Sequence, residues 1–191
     1  MRKESDSIGE LEVPENAYYG VQTLRGFKNF QITGIKMNDT FIRNIVKIKK
    51  AAAKVNGEYG YINAETASAI QTACNEILCG KFQENFITDA VQGGAGTTVN
   101  MNVNEVIANR ATELLGGKKG EYLCHPNDHV NCSQSTNDVI PTAGKLTVLD
   151  LADKLLEKIE ILISALERKA QEFDGIIKMG RTQLEDAVPI R

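Results

Sequence analysis

Residues 138–175 read DVIPTAGKLTVLDLADKLLEKIEILISALERKAQEFDG, and this stretch decides the fold. Asp138 is the predicted N-cap, Pro141 is tolerated in a first helical turn, and Asp174 with Gly175 would end the helix. The helix would contain about 35 residues and extend for about 50 Å, which is longer than a small domain needs. Such a helix is typical of a helical bundle or of a subunit interface. Its apolar residues alternate at steps of three and four, at Leu149, Ala152, Leu156, Ile159, Ile163, Leu166, Ala170 and Phe173.

The region before the long helix is predicted to form three shorter amphipathic helices. The first would begin near residues 38–40 and end at Gly57, the second would end at Gly80, and the third would end at Gly116. Residues 1–37 lack a sustained helical period, so loops with short strands or turns are expected there. The fold class is therefore mainly α. The predicted buried faces are Phe41, Ile45, Ile48, Ala52 and Val55, then Ala67, Ile70, Cys74 and Ile77, then Val103, Ile107, Ala111 and Leu114.

Composition and charge exclude several classes of protein. The chain has 191 residues, a net charge of −3 and no cluster of Lys and Arg, which argues against nucleic-acid binding. No apolar run approaches the roughly 20 residues that a membrane helix needs. The first residues lack the apolar segment of a secretory signal, so a cytoplasmic location is expected. The four cysteines form no C-x-x-C pair, so reduced thiols are expected and no metal site or cofactor is predicted.

Three polar strings carry the functional signal. They are QGGAGTT at 92–98, QSTND at 134–138 and GRTQ at 180–183. Each presents neutral hydroxyl or amide donors beside turning backbone, and the first two lie where a predicted helix begins. A helix start offers unpaired N–H groups and the positive end of the helix dipole, so small anions bind there readily. The strings indicate a site for a small anionic substrate, provided that the fold brings them together.

Longer segments around these strings resemble the signature motifs of the aspartase/fumarase superfamily. They are GGAGTTVNMNVNEV at 93–106, HPNDHVN running into SQSTND at 125–138, and MGRTQLEDAVP at 179–189. The resemblance extends from about Pro14 to Arg191, with the motifs in the family's order and spacing. It implies an N-terminal domain over residues 1–138, with short strands or turns beside its helices. Residues 139–191 would then begin the family's central helical bundle, and the chain would cover less than half of the family's usual length.

The resemblance implies reversible removal of a group β to a carboxylate, through an aci-carboxylate intermediate. Neutral donors suit this reaction because they bind carboxylate oxygens as negative charge develops on them. Family active sites combine residues from three subunits of a homotetramer. In the family, a serine on a loop beyond the position of Arg191 takes the proton, so the 191 residues alone are expected to be inactive. Matched position by position, the dicarboxylate-binding residues would be Thr97, Ser135, Thr136, Asn137, Thr182 and Gln183.

Two details favour an ammonia-lyase over a hydratase within the superfamily. Fumarases usually carry Ser-Ser-Asn where this chain has residues 135–137, and histidine where it has Gln183. Glutamine does not exchange a proton near neutral pH, so Gln183 does not suit activation of a water molecule. The resemblance therefore implies interconversion of L-aspartate with fumarate and ammonia. Some ammonia-lyases also keep histidine there, so a histidine would not have argued for a hydratase. Two alternatives stay open: a fumarate hydratase, and a non-catalytic helical oligomerisation module based on the long helix alone.

Each motif also has a simpler interpretation. The glycine run at 93–96 could be only a tight turn, since it lacks the lysine of a Walker loop and the third glycine of a dinucleotide loop. Residues 135–138 could only cap a helix, although we expect Asp138 to cap and the preceding three to bind ligand. Arg181 could equally form a structural ion pair and is not assigned to the site. His125 and His129, the only histidines, lie in a predicted turn and are expected at the surface or behind the site.

Overall fold

The computed structural model describes residues 1–191, and helices form most of its regular structure, as the sequence predicts. The chain divides into two compact units, Met1–Thr147 and Val148–Arg191, with the boundary inside the longest helix. In chain order the elements are β1 (Arg2–Asp6), β2 (Gly9–Val13), α1 (Val21–Asn29), α2 (Asp39–Glu58), α3 (Ala64–Leu78), a 3-10 turn (Gln83–Asn85), α4 (Thr97–Leu114), a π-helical turn (Pro126–Val130), α5 (Thr136–Phe173), β3 (Lys178–Thr182) and β4 (Glu185–Ile190).

The N-terminal region contains the expected short strands and one helix that the sequence pattern missed. Strands β1 and β2 form an antiparallel hairpin that closes at the pair Asp6 and Gly9. The Asp6 carboxylate accepts from the backbone N–H groups of Ile8 and Gly9 at 2.9 and 3.1 Å, which stabilises the turn. Helix α1 then follows, so the prediction of loops throughout residues 1–37 is wrong for this segment. With nine residues, α1 is too short to show a sustained period.

Helix α1 begins on carboxylates that come from elsewhere in the chain. Glu105 of α4 is buried and accepts from the backbone N–H groups of Gly20 and Thr23 at 2.8 and 3.0 Å. Glu4 of β1 is also buried and accepts from the N–H of Val21 at 3.0 Å. Carboxylates satisfy the unpaired donors of a helix start and complement its dipole. The signal for this helix is therefore tertiary, and a local pattern does not contain it.

Helix α2 has the predicted start but a different buried face. The helix begins within the predicted range of 38–40, and Asn38 is the N-cap, whose Oδ1 accepts from the N–H groups of Thr40 and Phe41 at 2.9 and 3.3 Å. The predicted face is partly wrong, because Val55 is 49% exposed whereas Ile45 is fully buried. The side chains buried on this helix are Ile42, Asn44, Ile45, Val46, Lys49, Ala53 and Asn56. Polar members of this set, Lys49 above all, displace the buried face from the stripe that apolar residues alone indicate.

Helix α4 is the centre of the first unit. It contacts α1, α2, α3 and the π-helical turn, and every residue from Val99 to Asn109 is buried. The predicted α3 face, Ala67, Ile70, Cys74 and Ile77, is buried against the same core. The α4 prediction is confirmed for Val103, Ile107 and Ala111, whereas Leu114 is 39% exposed. Two buried asparagines on α4 donate to backbone carbonyls, Asn102 to that of Asn85 at 2.9 Å and Asn109 to that of Tyr18 at 2.8 Å, which stabilises these buried polar groups.

Helix α5 is the long helix that the sequence predicts, with a different start. It contains 38 residues and begins at Thr136. Asp138 is not the N-cap: Ser135 Oγ accepts from the N–H of Asn137 at 3.2 Å and occupies the capping position. Asp138 lies in the first turn instead, where its carboxylate complements the helix dipole. Pro141 accordingly falls in the second turn, so the carbonyl of Asn137 receives no helical N–H from it.

The second unit is exposed along its whole length. None of residues 148–191 is buried, although many are apolar. After α5, strands β3 and β4 form an antiparallel hairpin whose last pair is Thr182 and Glu185. Gln183 and Leu184 form the two-residue turn, and Gln183 has a left-handed φ of 49°. A non-glycine residue rarely adopts this conformation, so the turn holds Gln183 at a defined and strained position.

The cysteines and the membrane prediction can be compared directly with the structure. All four cysteines are unpaired, and Cys74 lies in the core as predicted. Burial raises the pKa of Cys74 to about 12, so this thiol stays protonated near neutral pH. No helix has the length and apolar content required to cross a membrane.

Candidate active site

The first polar string forms a loop that ends at the start of α4. Gly94 and Gly96 have left-handed φ values of 68° and 84°, and α4 begins at Thr97. Gln92 Oε1 accepts from the N–H of Val99 at 2.6 Å, so a side chain from the start of the string caps the third N–H of the helix. Thr97 itself is exposed. The hydroxyl of Thr97 and the first N–H groups of α4 are thus available to an anion.

Gly96 also brings the first string against the start of α5. A Cβ at Gly96 would lie 2.9 Å from Cγ2 of Ile140, too close for a carbon atom. Any larger residue would therefore push the loop away from α5, besides straining the left-handed backbone. The glycine run is consequently more than a turn: it permits the starts of α4 and α5 to approach each other.

The second polar string forms the loop between the π-helical turn and α5. Ser133 has a left-handed φ of 57°, and Ser135 caps α5 through its hydroxyl. The side chains of Ser135 and Asn137 are exposed, and that of Thr136 is half-buried. Capping and ligand binding were predicted to coexist in this string. The structure assigns the cap to Ser135, whereas Thr136 and Asn137 stay free of this task.

A buried network of amides joins the two helix starts. Asn100, one turn into α4, donates from Nδ2 to Thr136 Oγ1 at 3.2 Å and to Asn131 Oδ1 at 3.2 Å. Asn104 donates to the same Asn131 oxygen at 3.3 Å. Asn131 in turn donates from Nδ2 to the carbonyl of Gln134 at 3.0 Å. The loop that carries the second string is therefore fixed to α4 by side-chain hydrogen bonds.

A lysine that no sequence pattern indicates lies beneath this network. Lys49 of α2 is fully buried, and its Nζ donates to Asn131 Oδ1 at 2.7 Å. Burial lowers the pKa of Lys49 to about 7, because the charged form loses its hydration. Lysines are rarely buried, so composition and periodicity place this residue at the surface. The asparagines could have been found, since Asn100 and Asn104 are four residues apart and must share one face of a helix.

The six predicted binding residues divide between the two units. Thr97, Ser135, Thr136 and Asn137 lie at the adjacent starts of α4 and α5 in the first unit. Thr182 and Gln183 lie in the second unit, at the end of β3 and in the turn that follows it. Arg181, which was not assigned to the site, lies 3.9 Å from Asp186 across the same hairpin, as in an exposed ion pair.

The two histidines stabilise the π-helical turn. His125 Nδ1 accepts from the N–H of Asp128 at 3.2 Å, and His129 Nδ1 accepts from the N–H of His125 at 2.8 Å. His125 Nδ1 also lies 3.0 Å from the Asp128 Oδ2 carboxylate oxygen. The two imidazoles therefore have local structural tasks beside the loop, which agrees with the placement predicted from the sequence.

The arrangement offers donors of the kind that bind a small anion. Two helix starts present positive dipole ends, and the predicted ligand-binding side chains there, Thr97 and residues 135–137, are neutral hydroxyl and amide groups. Asn100 holds the Thr136 hydroxyl by a hydrogen bond, so this donor needs little reorganisation when a ligand gains negative charge. Such a site can bind a carboxylate and stabilise additional charge on it.

Comparison with known proteins gives consistent results. A family model described as "Lyase" matches residues 9–191. The chain is 52% identical over 191 residues to "Aspartate ammonia-lyase" of Bacillus subtilis, covering 100% of this chain and 40% of that protein. It is 49% identical over 191 residues to "Fumarate hydratase class II" of Halobacterium salinarum, covering 100% of this chain and 41% of that protein.

A solved structure extends the comparison to the fold. The "fumarate lyase:delta crystallin" of Brucella melitensis superposes with a TM-score of 0.85 at 48% identity, covering 100% of this chain and 44% of that one. The chain spans about 40% of the length of the curated relatives that it matches. Since the family model covers nearly the whole chain and the fold agrees, the chain belongs to this lyase family, as the aspartase/fumarase motifs predict.

Proposed function

We propose that this chain is the N-terminal part of an enzyme that converts L-aspartate reversibly to fumarate and ammonia. The observation that carries the proposal is the adjacency of two helix starts, with Thr97 on one and residues 135–137 on the other. Asn100 links them by its hydrogen bond to Thr136. Neutral donors at paired helix starts are suited to a carboxylate that gains charge during the reaction.

The proposed reaction removes a proton and then ammonia. A base takes the proton from the carbon next to one carboxylate, whose two oxygens then carry the additional negative charge of an aci-carboxylate. Hydroxyl donors such as Thr97 and Thr136 stabilise that charge more strongly than the charge of the substrate, which lowers the barrier. The electron pair then forms the double bond of fumarate as the carbon–nitrogen bond breaks and ammonia leaves. The family resemblance supplies the base, a serine beyond the position of Arg191.

Gln183 is the residue that favours ammonia over water as the leaving group. Its amide can donate to or accept from the substrate, but it cannot take a proton from water near neutral pH. Its strained position in the hairpin turn supports a ligand-binding task, because backbone strain of this kind concentrates at functional sites. We therefore assign Thr182 and Gln183 to dicarboxylate binding in the complete protein.

The proposal includes a homotetramer whose sites are built from several subunits. The exposed apolar residues of α5 support it, because a stripe of that length in water favours association. The serine base and further substrate ligands would be supplied by the part of the protein outside this chain. We accordingly propose that residues 1–191 bind substrate poorly and do not turn it over, and that the complete enzyme works in the cytoplasm without a cofactor.

Turnover by the complete protein tests the proposal directly. Addition of L-aspartate should produce fumarate, which is followed by its ultraviolet absorbance, with release of one equivalent of ammonia. The reverse reaction should consume fumarate only when ammonium is present. Hydration of fumarate to malate, without turnover of aspartate, would contradict the assignment and leave the dicarboxylate site intact.

Fumarate hydratase is the second candidate, since one relative of that name is 49% identical to the chain. The choice between the two depends on Gln183, and a Gln183→His variant sharpens it. A non-catalytic oligomerisation module is the third candidate, based on α5 alone. It predicts that neither fumarate nor aspartate binds the complete protein, which calorimetry with each dicarboxylate measures.

A further inference from the structure

Lys49 is unusual among the lysines of this chain because it is fully buried, and its hydrogen-bond partner is an amide rather than a carboxylate. Its Nζ donates a hydrogen bond to Asn131 Oδ1 at 2.7 Å. A buried lysine without a carboxylate reduces the stability of the fold. We therefore expect Lys49 to have a function that offsets this loss of stability. Its contact with Asn131 places its hydrogen bond at the loop before α5.

Asn131 connects Lys49 to the loop that precedes α5. Its Oδ1 accepts from Lys49, Asn100 and Asn104, at 2.7, 3.2 and 3.3 Å. Three donors around one oxygen determine which end of the amide faces the core. The Nδ2 end must then face the loop, where it donates to the carbonyl of Gln134 at 3.0 Å. The orientation of Asn131 thus determines the path of the backbone just before α5.

Asn100 transmits the same orientation to the Thr136 hydroxyl. One Nδ2 donates both to Asn131 Oδ1 and to Thr136 Oγ1, so its two N–H bonds are used. Thr136 Oγ1 is consequently an acceptor on its inner side. The proton of a hydroxyl that already accepts in the core is free to point outward and donate to a ligand.

We propose that Lys49 is a positioning residue for the substrate, acting through Asn131 and Asn100 on the Thr136 hydroxyl. The inference rests on the proposed function, because it takes Thr136 as a donor to the substrate carboxylate. Lys49 Nζ donates to Asn131 whether or not it is protonated, so the relay does not require a charge on Lys49. The side chain never touches the substrate, because it is enclosed by the core.

A double-mutant cycle on the complete protein tests the relay. Thr136→Ala should weaken fumarate binding by about 10²-fold, and Lys49→Met by about 10-fold, because methionine is unbranched and only one atom shorter than lysine but donates no hydrogen bond. In the double variant, the affinity should equal that of Thr136→Ala alone. Independent effects would instead multiply to about 10³-fold. Titration calorimetry with fumarate measures all four proteins.

Two controls separate positioning from general damage. Lys49→Met combined with Thr97→Ala should be multiplicative, since no hydrogen bond links Thr97 to the relay. Lys54→Met, on the same helix with its side chain 65% exposed, should leave fumarate binding unchanged. Multiplicative losses in the Thr136 cycle would overturn the proposal and reduce Lys49 to a structural residue.

A second variant avoids the risk that Lys49→Met fails to fold. Asn100→Asp keeps the shape of the side chain but replaces the donor by an acceptor. The Thr136 proton would then point inward to the new carboxylate, and fumarate affinity should fall by about 10-fold or more. Asn75→Asp, on the exposed side of α3, is the control. Asn102→Asp is unsuitable because Asn102 is buried and donates to the carbonyl of Asn85. Unchanged affinity in Asn100→Asp would overturn the relay.

Failure of the proposal and failure of the proposed function give different results. If the protein hydrates fumarate but does not release ammonia from aspartate, the function is wrong, and the cycle on fumarate binding still decides the relay. If aspartate turns over but the Thr136 cycle is multiplicative, the relay is wrong and the function stands. A protein that binds no dicarboxylate overturns both.

Discussion

The two units of this chain differ in how far their apolar residues are buried. In residues 1–147, apolar side chains surround α4, and Ile107, Val103 and Ala111 are completely buried. In residues 148–191 no residue is buried, although α5 carries leucines and isoleucines at helical spacing. A helix with that pattern does not bury its apolar face within this chain. The first unit therefore has its own core, and the second has an apolar surface suited to partners.

The proposed site divides along the same line. Thr97 and residues 135–137 lie on the first unit, where the buried amide network holds Thr136. Thr182 and Gln183 lie on an exposed hairpin of the second unit. If the comparison is right, substitutions in the first unit change the stability or the geometry of each subunit, whereas substitutions on α5 change assembly.

The largest expected effect is on association through α5. We predict that the 191-residue chain self-associates, in the native manner or a substitute one, and that Leu155→Lys, Leu162→Lys and Leu166→Lys together abolish association. Burial of each leucine contributes about 1.5–3 kcal/mol, so the three together remove about 5–9 kcal/mol. Sedimentation velocity measures the change, with Ser164→Lys and Gln171→Lys as controls on the same helix. A wild-type chain that stays monomeric at high concentration contradicts the bundle assignment of α5.

The next largest effect concerns the core of the first unit. Glu105→Leu should reduce the free energy of unfolding by about 3–5 kcal/mol, because it removes the acceptor for the N–H groups that begin α1. Glu58→Leu, at a side chain that is 59% exposed, should change it by less than about 0.5 kcal/mol. Urea unfolding followed by circular dichroism measures both. Equal effects of the two substitutions would remove the distinction between core and surface in this unit.

The site itself should depend on hydroxyls more than on imidazoles. In the complete enzyme, Thr97→Ala, Thr136→Ala and Thr182→Val should each lower kcat/KM by about 10²-fold, equal to about 2.7 kcal/mol of transition-state stabilisation. His125→Asn should have a much smaller effect, since His125 accepts from a backbone N–H of its own turn. Steady-state kinetics with L-aspartate gives the values. A large loss of kcat/KM in His125→Asn, with little loss in the threonine variants, would contradict this assignment of the active site.

The smallest effect is a pH dependence of stability that comes from Lys49. Its pKa is about 7 in the folded chain and 10.5 in the unfolded one, so between these values the unfolded chain binds more protons. Stability therefore rises with pH in this window, by at most about 1.4 kcal/mol per pH unit. The buried thiols Cys74 and Cys124, with pKa values raised to about 12, act in the opposite direction once unfolded thiols ionise near their ordinary 9.0.

Urea unfolding between about pH 7 and 8.5 isolates the contribution of Lys49, since the thiols do not yet ionise in the unfolded chain. Lys49→Met should flatten the dependence in this range. Lys54→Met, an exposed change on the same helix, should preserve it. An identical slope in both variants would show that Lys49 is not the group that titrates.

Sequence patterns were accurate where burial follows apolar residues along a single element. The faces of α3 and most of α4 follow the 3.6-residue period, and α5 ends at the predicted Phe173. The patterns failed at polar residues with distant partners. Asp138 is a good capping residue, yet Ser135 occupies the capping position, because loop geometry and the Asn131 contacts determine where α5 begins.

The sequence by itself determined the helical class, the long apolar stripe of α5 and the three motifs that identify the family. These are local properties, set by the order of residue types along the backbone. Only the tertiary structure decided that α1 exists, that α4 is buried on every side, and that Lys49 lies beneath the candidate site. Each depends on contacts between residues far apart in the chain, such as the packing of other helices around α4 or the hydrogen bonds of Glu105 with Gly20 and of Lys49 with Asn131. A polar side chain can be buried when the folded chain supplies it with a hydrogen-bond partner. The periodicity of the sequence does not indicate that partner.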